Sequence, residues 1–484
     1  MDALEPCKMD QSPLYQHLKK RFPFDPTTRQ EMALYELANF VSASKPRTTL
    51  LIKGYAGTGK TTLIGTLVSD LWKSQMSSVL LAPTGRAAKV VSNYSGKQAY
   101  TIHKKIYRPM SKKEGGVKFK LQTNKHRNTI FIVDEASMIP DVNQDGKMFE
   151  TAALLDDLIQ YAFQGFNCKL LLVGDTAQLP PVKLAISPAL DEDLLANRYD
   201  LNIKAIELTE VVRQKEGSGI LSNATNLREN IRQGFFNHFH FSLRNFVDIH
   251  RPLDSQELLD AIESSYSKHG KEDTAFIVRS NKRANQYNQQ IRSRILFQEE
   301  EINTGDYLMV VKNNYFWLED GSSAGFIANG DIIEILRVFD IVEKHGFRFA
   351  EVQVRMVDYP DIAPMETVIL LDTLESAHAS LTQEQSNELY QAVRNSYAEI
   401  KANYKRFLAV KNDRYFNALQ VKFSYAMTCH KSQGGQWNTV FIEQPFLPDG
   451  INKEYLRWLY TAVTRAQESL YLIGFPEEFF AETD

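Results

Sequence analysis

The chain has 484 residues, too many for one hydrophobic core, so two or more domains of ordinary size are expected. Hydrophobic residues make up 43% and charged residues 24%, the balance of a folding globular protein and not of a disordered one. A net charge of -3 excludes a uniformly basic, histone-like protein, but local clusters such as Lys19, Lys20 and Arg21 leave nucleic acid open as a partner.

The first residues, MDALEPCKMDQSPLYQHLKK, contain no apolar h-region, and no stretch approaches the roughly 18 apolar residues of a membrane span. A cytoplasmic protein with no membrane partner is expected. Cys7, Cys168 and Cys429 are scattered and odd in number, which fits a reducing compartment and gives no CxxC metal pattern.

Apolar runs then recur along the first half: TTLLIKG near 50, SVLLAPT near 80, TIFIVDE near 130 and KLLLVGD near 170. Each reads as a short buried strand ending in small or polar residues. Helical patterns such as TTLIGTLVSDLW separate them, which predicts a parallel sheet flanked by helices. Function in such a sheet gathers at the carboxyl ends of the strands, so the polar endings are expected to face one site. Between them, residues 108–128 form a lysine-flanked insertion with Gly115 and Gly116 where a hairpin would turn.

The same grammar returns in TAFIVRSNKRANQYNQQIR, KFSYAMTCHKSQG, NTVFIEQ and SLYLIGF, which predicts a second α/β domain. Inside it, GDYLMVVKNNY, ANGDIIEILRVFD and FAEVQVRMVDYP alternate like half-buried antiparallel strands and predict a small inserted β-barrel. LTQEQSNELYQAVRNSYAEIKANYKRFLAV follows, with the spacing of an amphipathic, solvent-exposed connector helix. No tandem repeat or low-complexity tract is evident.

The strongest chemical signal is GYAGTGKT, Gly54 to Thr61, which fits G-x-x-x-x-G-K-[ST] between a strand-like and a helix-like run. Gly57 and Gly59 let the backbone wrap phosphates and turn its N–H groups toward negative charge. Lys60 is expected to reach the β and γ phosphates and Thr61 to ligate Mg²⁺, with Thr58 and Thr62 completing the nucleotide-binding set. Asp134 and Glu135 end TIFIVDEAS, where hydrolysis of ATP needs a Mg²⁺ carboxylate and a group to orient and deprotonate water. Asp134 is the metal candidate and Glu135 the candidate base. In GDTAQLPPV, the Gln178 amide can both donate and accept and is placed to sense the γ phosphate or the water. Arg213 in ELTEVVRQ and Arg465 in YTAVTRA are always ionised, as a cation for transition-state charge must be, but chemistry alone does not single them out.

The ordered set GYAGTGKT, LAPTGRAAK, TIHK, VDEAS, GDTAQLPPV, LTEVVRQ, TCHKSQGGQW and YTAVTRA resembles the motifs of superfamily 1 helicases, and TIHK, TCHKSQG and VTRA most resemble the RecD and Dda group. The resemblance runs from about residue 24 to 474. It implies two RecA-like P-loop domains with ATP between them, a small 1B pin hairpin and an SH3-like 2B barrel. The implied divisions are residues 1–107, with 129–215, for domain 1A; 108–128 for the pin; 216–302, with 421–484, for domain 2A; and 303–420 for the barrel with its helical segment. It also implies that Gln30 contacts the adenine and that Arg213 and Arg465 are arginine fingers. Strand contacts are implied for Thr84, Arg86, Thr101 and His103 in one domain, and Thr428, His430, Ser432 and Gln433 in the other.

The expected function is therefore an ATP- and Mg²⁺-dependent DNA helicase that moves 5′ to 3′ on single-stranded DNA, opens tailed duplexes and works as a monomer. A P-loop switch or loader that unwinds nothing, and an RNA-directed motor, stay open as alternatives, because 2′-OH recognition is not displayed in the sequence. Cys429 beside His430 is not read as a thiol nucleophile, since adjacent strand residues point to opposite faces.

Overall fold

The computed structural model describes residues 12–111, 117–141, 153–182, 184–211, 217–318, 322, 326–448 and 450–480. In the first half the strands are β1 (Thr48–Gly54), β2 (Ser77–Ala82), β3 (Ala99–Thr101), β4 (Tyr107–Ser111), β5 (Val117–Leu121), β6 (Thr129–Val133), β7 (Lys169–Gly174) and β8 (Asn202–Leu208). All except β4 and β5 form one 6-stranded sheet in the order β3-β2-β6-β7-β1-β8, and every pairing in it is parallel. Helices cover both faces, so β6 and β7 are buried throughout and read as unbroken apolar runs. Two cores result: Leu34, Leu63, Leu67 and Ile132 on one face, and Leu51, Phe131, Leu158 and Leu172 on the other. Because β6, β7 and β1 are neighbours, their carboxyl ends at Val133, Gly174 and Gly54 lie side by side.

The edge strands β3 and β8 were not anticipated. The first has only 3 residues, and the second alternates between exposed and buried positions, as an edge strand does. The insertion at 108–128 contains the β4–β5 hairpin, paired from Tyr107 with Leu121 to Ser111 with Val117. Its tip, with Gly115 and Gly116, lies outside the described residues.

In the second half come β9 (Ile249–His250), β10 (Thr274–Val278), β11 (Tyr307–Val310), β12 (Ile332–Lys344), β13 (Phe347–Met356), β14 (Met365–Leu370), β15 (Leu419–Phe423), β16 (Ala426–Thr428), β17 (Trp437–Glu443) and β18 (Ala466–Ile473). A parallel sheet in the order β16-β10-β17-β18-β9 forms the second α/β unit, and β11 to β15 close into a barrel. The α/β class with an inserted barrel is the expected one. KFSYAMT, expected as a single strand of the second sheet, is instead divided: the barrel strand runs through Phe423, past the boundary expected at 420, and the sheet strand starts at Ala426. Asn288 makes the division possible. Its side chain donates to Phe423 O at 3.2 Å and Ala426 O at 3.0 Å and accepts from Ala426 N at 2.7 Å, so the backbone groups at the switch stay paired.

The barrel is fused to the second sheet. Phe276, Val278 and Phe441 of the sheet share a core with Leu308, Val352 and Val421 of the barrel. At its root Arg292 donates from Nε and Nη2 to the two oxygens of buried Asp306 at 3.0 and 2.9 Å, and the Tyr425 hydroxyl donates to Oδ1 at 2.9 Å. The long connector helix is corrected to two helices, Gln383–Ser396 and Asn403–Lys411. Arg406 fills the break by donating to Ile400 O at 2.9 Å and Ala398 O at 2.7 Å. Leu389, Val393 and Val410 are buried against Phe347, Phe349 and Leu370, so the pair covers the barrel and is not a free connector. Among the described residues no helix is long and apolar enough to cross a membrane.

Candidate functional site

Strand β1 delivers the chain to Gly54, and the loop that follows turns through left-handed backbone at Gly57 (φ 74°) and Gly59 (φ 86°). A side chain at either position would be strained, which is why glycine recurs there. The helix Lys60–Asp70 begins directly after, and no side chain caps its first turn. By contrast Thr27, Thr84, Thr101 and Ser218 each cap the helix behind them. An uncapped N-terminus beneath a glycine loop presents N–H groups and the positive end of a dipole to an anion. Lys60 Nζ lies in the loop, donating to Gly54 O at 2.7 Å and Tyr55 O at 2.9 Å. Thr61 is exposed at the helix start, Thr62 is half-buried, and Thr58 is buried with its hydroxyl on Tyr55 O at 2.8 Å. The Thr58 hydroxyl is therefore engaged within the loop.

At the end of β6, Asp134 accepts from the Tyr94 hydroxyl at 2.6 Å and from Glu135 N at 2.9 Å. Glu135 has φ 51°, a conformation that costs energy in a residue with a Cβ and is held by its surroundings. Burial pushes its carboxyl up from the usual range, opposed first by the charge of Arg465. Arg465 comes from the second unit, and its Nη1 stands 4.0 Å from Glu135 Oε1. Its guanidinium is aimed by donating to Thr461 O at 3.0 Å, Gly435 O at 3.2 Å and the Thr464 hydroxyl at 3.1 Å. Gln178 is buried on the loop after β7, and its Oε1 has no hydrogen-bond partner among the described residues. Lys60, Asp134, Glu135 and Arg465 thus gather at one inter-unit cleft. Arg213 lies outside the described residues.

Gln30, expected at an adenine, lies against the phosphate loop. It is buried, accepts from Thr27 N at 3.0 Å in a capping box and donates to Thr58 O at 2.9 Å. One end of its amide caps the helix Thr28–Ser42 and the other holds the phosphate loop.

Sequence reasoning missed two residues here. Asp175 is fully buried and accepts from Ala177 N at 2.8 Å and from the Tyr460 hydroxyl at 2.7 Å. That hydroxyl also accepts from Ala56 N of the loop at 2.9 Å, so Tyr460 of the second unit ties the loop to the end of β7. The signal was present: Asp175 opens DTAQLPPV, and Tyr460 opens YTAVTRA.

A groove of about 880 Å³ lies between the two units and the barrel. Thr84, Arg86, Thr101, His103, Thr428, His430 and Gln433 all line it. Ser432 does not: it is fully buried, donating to Cys429 O at 2.8 Å, because the short helix Cys429–Ser432 turns it inward. Thr84 and Thr101 cap the helices Gly85–Ser95 and Ile102–Ile106 by accepting from Ala87 N and Lys104 N, each at 3.2 Å, and so aim both N-termini at the groove. Arg86 is engaged across it, stacked 4.1 Å from the Trp437 ring centre and donating to Glu272 O and Gln436 O at 3.4 Å. Burial pushes the His430 imidazole down, toward the neutral form. The lining also holds Arg279, Lys282 and Lys431 and the aromatic rings of Tyr107 and Phe326, and among the described residues it includes no aspartate or glutamate.

Cleft and groove are wired together. Gln433 donates to Leu179 O at 2.8 Å, Leu179 N donates to the Thr461 hydroxyl at 2.9 Å, and Thr461 O receives Arg465.

Comparison with known proteins gives two family matches, an AAA domain over residues 36–241 and a UvrD-like helicase C-terminal domain over residues 423–473. The chain is 30% identical over 207 residues to the ATP-dependent DNA helicase dda of Enterobacteria phage T4, covering 42% of this chain and 43% of that one. It is 32% identical over 180 residues to the ATP-dependent RecD2 DNA helicase of Deinococcus radiodurans, covering 37% of this chain and 21% of that one. The alignments thus span less than half the length of each of these two relatives. A solved structure of the Pif1 helicase from Bacteroides, in complex with ADP-AlF3 and ssDNA, aligns over 93% of each chain at 16% identity with a TM-score of 0.46.

Proposed function

The chain belongs to the superfamily 1 helicases of the RecD and Dda kind, and from that premise we propose that it hydrolyses ATP in the inter-unit cleft to move along single-stranded DNA held in the groove. The observation that carries the reading is the groove itself. In a chain of net charge -3, it is lined by Arg86, Arg279, Lys282 and Lys431, with no carboxylate among the described lining residues. Such a lining suits a polyanion. Helix N-termini, hydroxyls, amides and a few aromatic rings grip a backbone and stack bases without reading sequence.

In the cleft, ATP phosphates would displace the Lys60 ammonium from Gly54 O and Tyr55 O and take its charge themselves. Glu135 would orient the attacking water and accept its proton, and Gln178 Oε1 would hold that water from the other side. Arg465 would meet the charge that develops on the transferred phosphoryl group. The residues present fit Mg²⁺: the exposed Thr61 hydroxyl at the helix start and the Asp134 carboxylate beside Glu135 are hard oxygen donors and would hold it. Bound there, the ion would neutralise the β and γ phosphates.

The relay from Gln433 through Leu179 and Thr461 to Arg465 lets a strand in the groove reposition the arginine, and lets the nucleotide state reset the grip. Translocation from 5′ to 3′, action as a monomer with both units in one chain, and a cytoplasmic location complete the reading. Buried, unpaired Cys168 and Cys429 support a reducing compartment.

The test offers duplexes with a 5′ tail, a 3′ tail or an RNA tail, with ATP and Mg²⁺. Strand separation from the 5′ DNA tail alone is expected. Separation only from RNA would move the track to RNA, and hydrolysis with no separation from any substrate would move the protein to the switch or loader class.

A further inference from the structure

The barrel reaches across the groove. The turn Ala328–Asp331 is rigid: Asp331 N donates to Ala328 O at 3.1 Å, Ala328 N donates to Asp331 Oδ2 at 2.7 Å, and Gly330 takes φ 98° at its corner. Ala328, Asn329 and Gly330 line the groove. On one side of the turn, Asn329 Oδ1 accepts from Lys431 Nζ of the second unit at 2.7 Å. On the other, fully buried Asp331 abuts Gly85 of the first unit so closely that a Cβ there would overlap Oδ1. The turn between β13 and β14 adds an ion pair with the same helix: Asp358 Oδ1 lies 3.0 Å from Lys89 Nζ. One small loop region thus touches both walls of the groove.

We propose that these two turns are a clasp, hinged with the second unit and closed on the helix Gly85–Ser95 of the first, that retains a bound single strand and opens to admit or release it. The inference rests on the groove being the strand site. Two observations argue for a contact built to open. Asp331 Oδ1 and Asp358 Oδ2 are buried at the junction with no hydrogen-bond partner among the described residues, so closure leaves part of their desolvation cost uncompensated. The barrel is also fixed to the second sheet by a shared core and by Arg292 on Asp306, so any rotation of the second unit must pull the clasp at Gly85 and Lys89. Burial pushes the Asp331 carboxyl up to about 8, which explains how it sits uncharged against a backbone without an ion pair.

The test uses the full chain in three forms: wild type, Asp358→Lys, and the swap Lys89→Asp with Asp358→Lys. Lys89→Ala, on the more exposed side of the pair, serves if Asp358→Lys does not fold. Without any nucleic acid, dyes at Asn93→Cys and Glu343→Cys in a Cys7→Ser background report the distance between the first unit and the barrel. With a fluorescent oligo-dT, stopped flow reports the release rate. Asp358→Lys is expected to lower energy transfer and to speed release about tenfold, with Lys89→Ala weaker, at about threefold, and the swap close to wild type. Unchanged energy transfer in both single variants, or changed transfer with unchanged release, would overturn the clasp. A wild type that binds no oligo-dT would overturn the strand reading and the clasp with it, and that outcome is separate because it appears before any variant is compared.

Discussion

In the cleft, Lys60 and Arg465 meet Asp134 and Glu135, so both signs of charge stand opposed; in the groove, the described lining residues are cations and neutral groups, with a carboxylate such as Glu454, which pairs with Arg279, set behind them. The two also differ in how tightly they are held. Gly57, Gly59 and Glu135 occupy left-handed backbone, and Arg465 is aimed by Thr461, Gly435 and Thr464, whereas His430 and the lysines of the groove sit on its walls as side chains. The contrast teaches that charge placed with its counter-charge does bond-making at one position, while charge of a single sign holds a long polyanion at many equivalent ones. A substitution in the cleft should therefore act on turnover, and one in the groove on affinity and salt dependence.

The largest break of that contrast is Arg465→Ala. Turnover is expected to fall roughly 10³-fold with nucleotide affinity nearly unchanged, read by steady-state hydrolysis beside equilibrium binding of a fluorescent nucleotide. A smaller effect concerns Glu135. Its carboxyl is raised by burial, and only the ionised form can accept a proton, so hydrolysis should decline on acidification while still above the ordinary carboxylate range. A pH–rate profile that falls only below that range would remove Glu135 as the base. Tyr460→Phe leaves Ala56 N and Asp175 Oδ2 without their shared hydroxyl. Roughly a tenfold loss of turnover is expected, with a stability cost of about 1–3 kcal/mol in denaturant unfolding. The smallest effect belongs to Lys431→Ala. Oligo-dT affinity should weaken a few-fold, and the slope of log affinity against log salt should become shallower by about 0.7, with basal hydrolysis unaltered.

What could be read from the sequence follows the same division. GYAGTGKT and VDEAS are legible because backbone geometry dictates residue identity there: left-handed positions call for glycine, and a buried strand announces the carboxylates at its end. The groove depends on contacts between segments far apart in the chain, so Thr84, Arg86 and His430 were reached through resemblance and not through spacing. Local rotation misled at Ser432, where one turn of helix moved the hydroxyl inward. KFSYAMT looked like one strand because nothing nearby marks the switch from barrel to sheet; Asn288, far upstream, supplies it. METVIL gave no warning of β14, since a short strand closing a barrel is defined by its partners.

The most direct measurement of the coupling between groove and cleft is steady-state ATP hydrolysis by the wild type with and without oligo-dT, with Lys60→Ala as the background control. Strong stimulation by the oligonucleotide, absent in Lys60→Ala, is the predicted result. Wild-type hydrolysis that is the same with and without oligo-dT, under conditions where the oligonucleotide is bound, would contradict the coupling of groove to cleft.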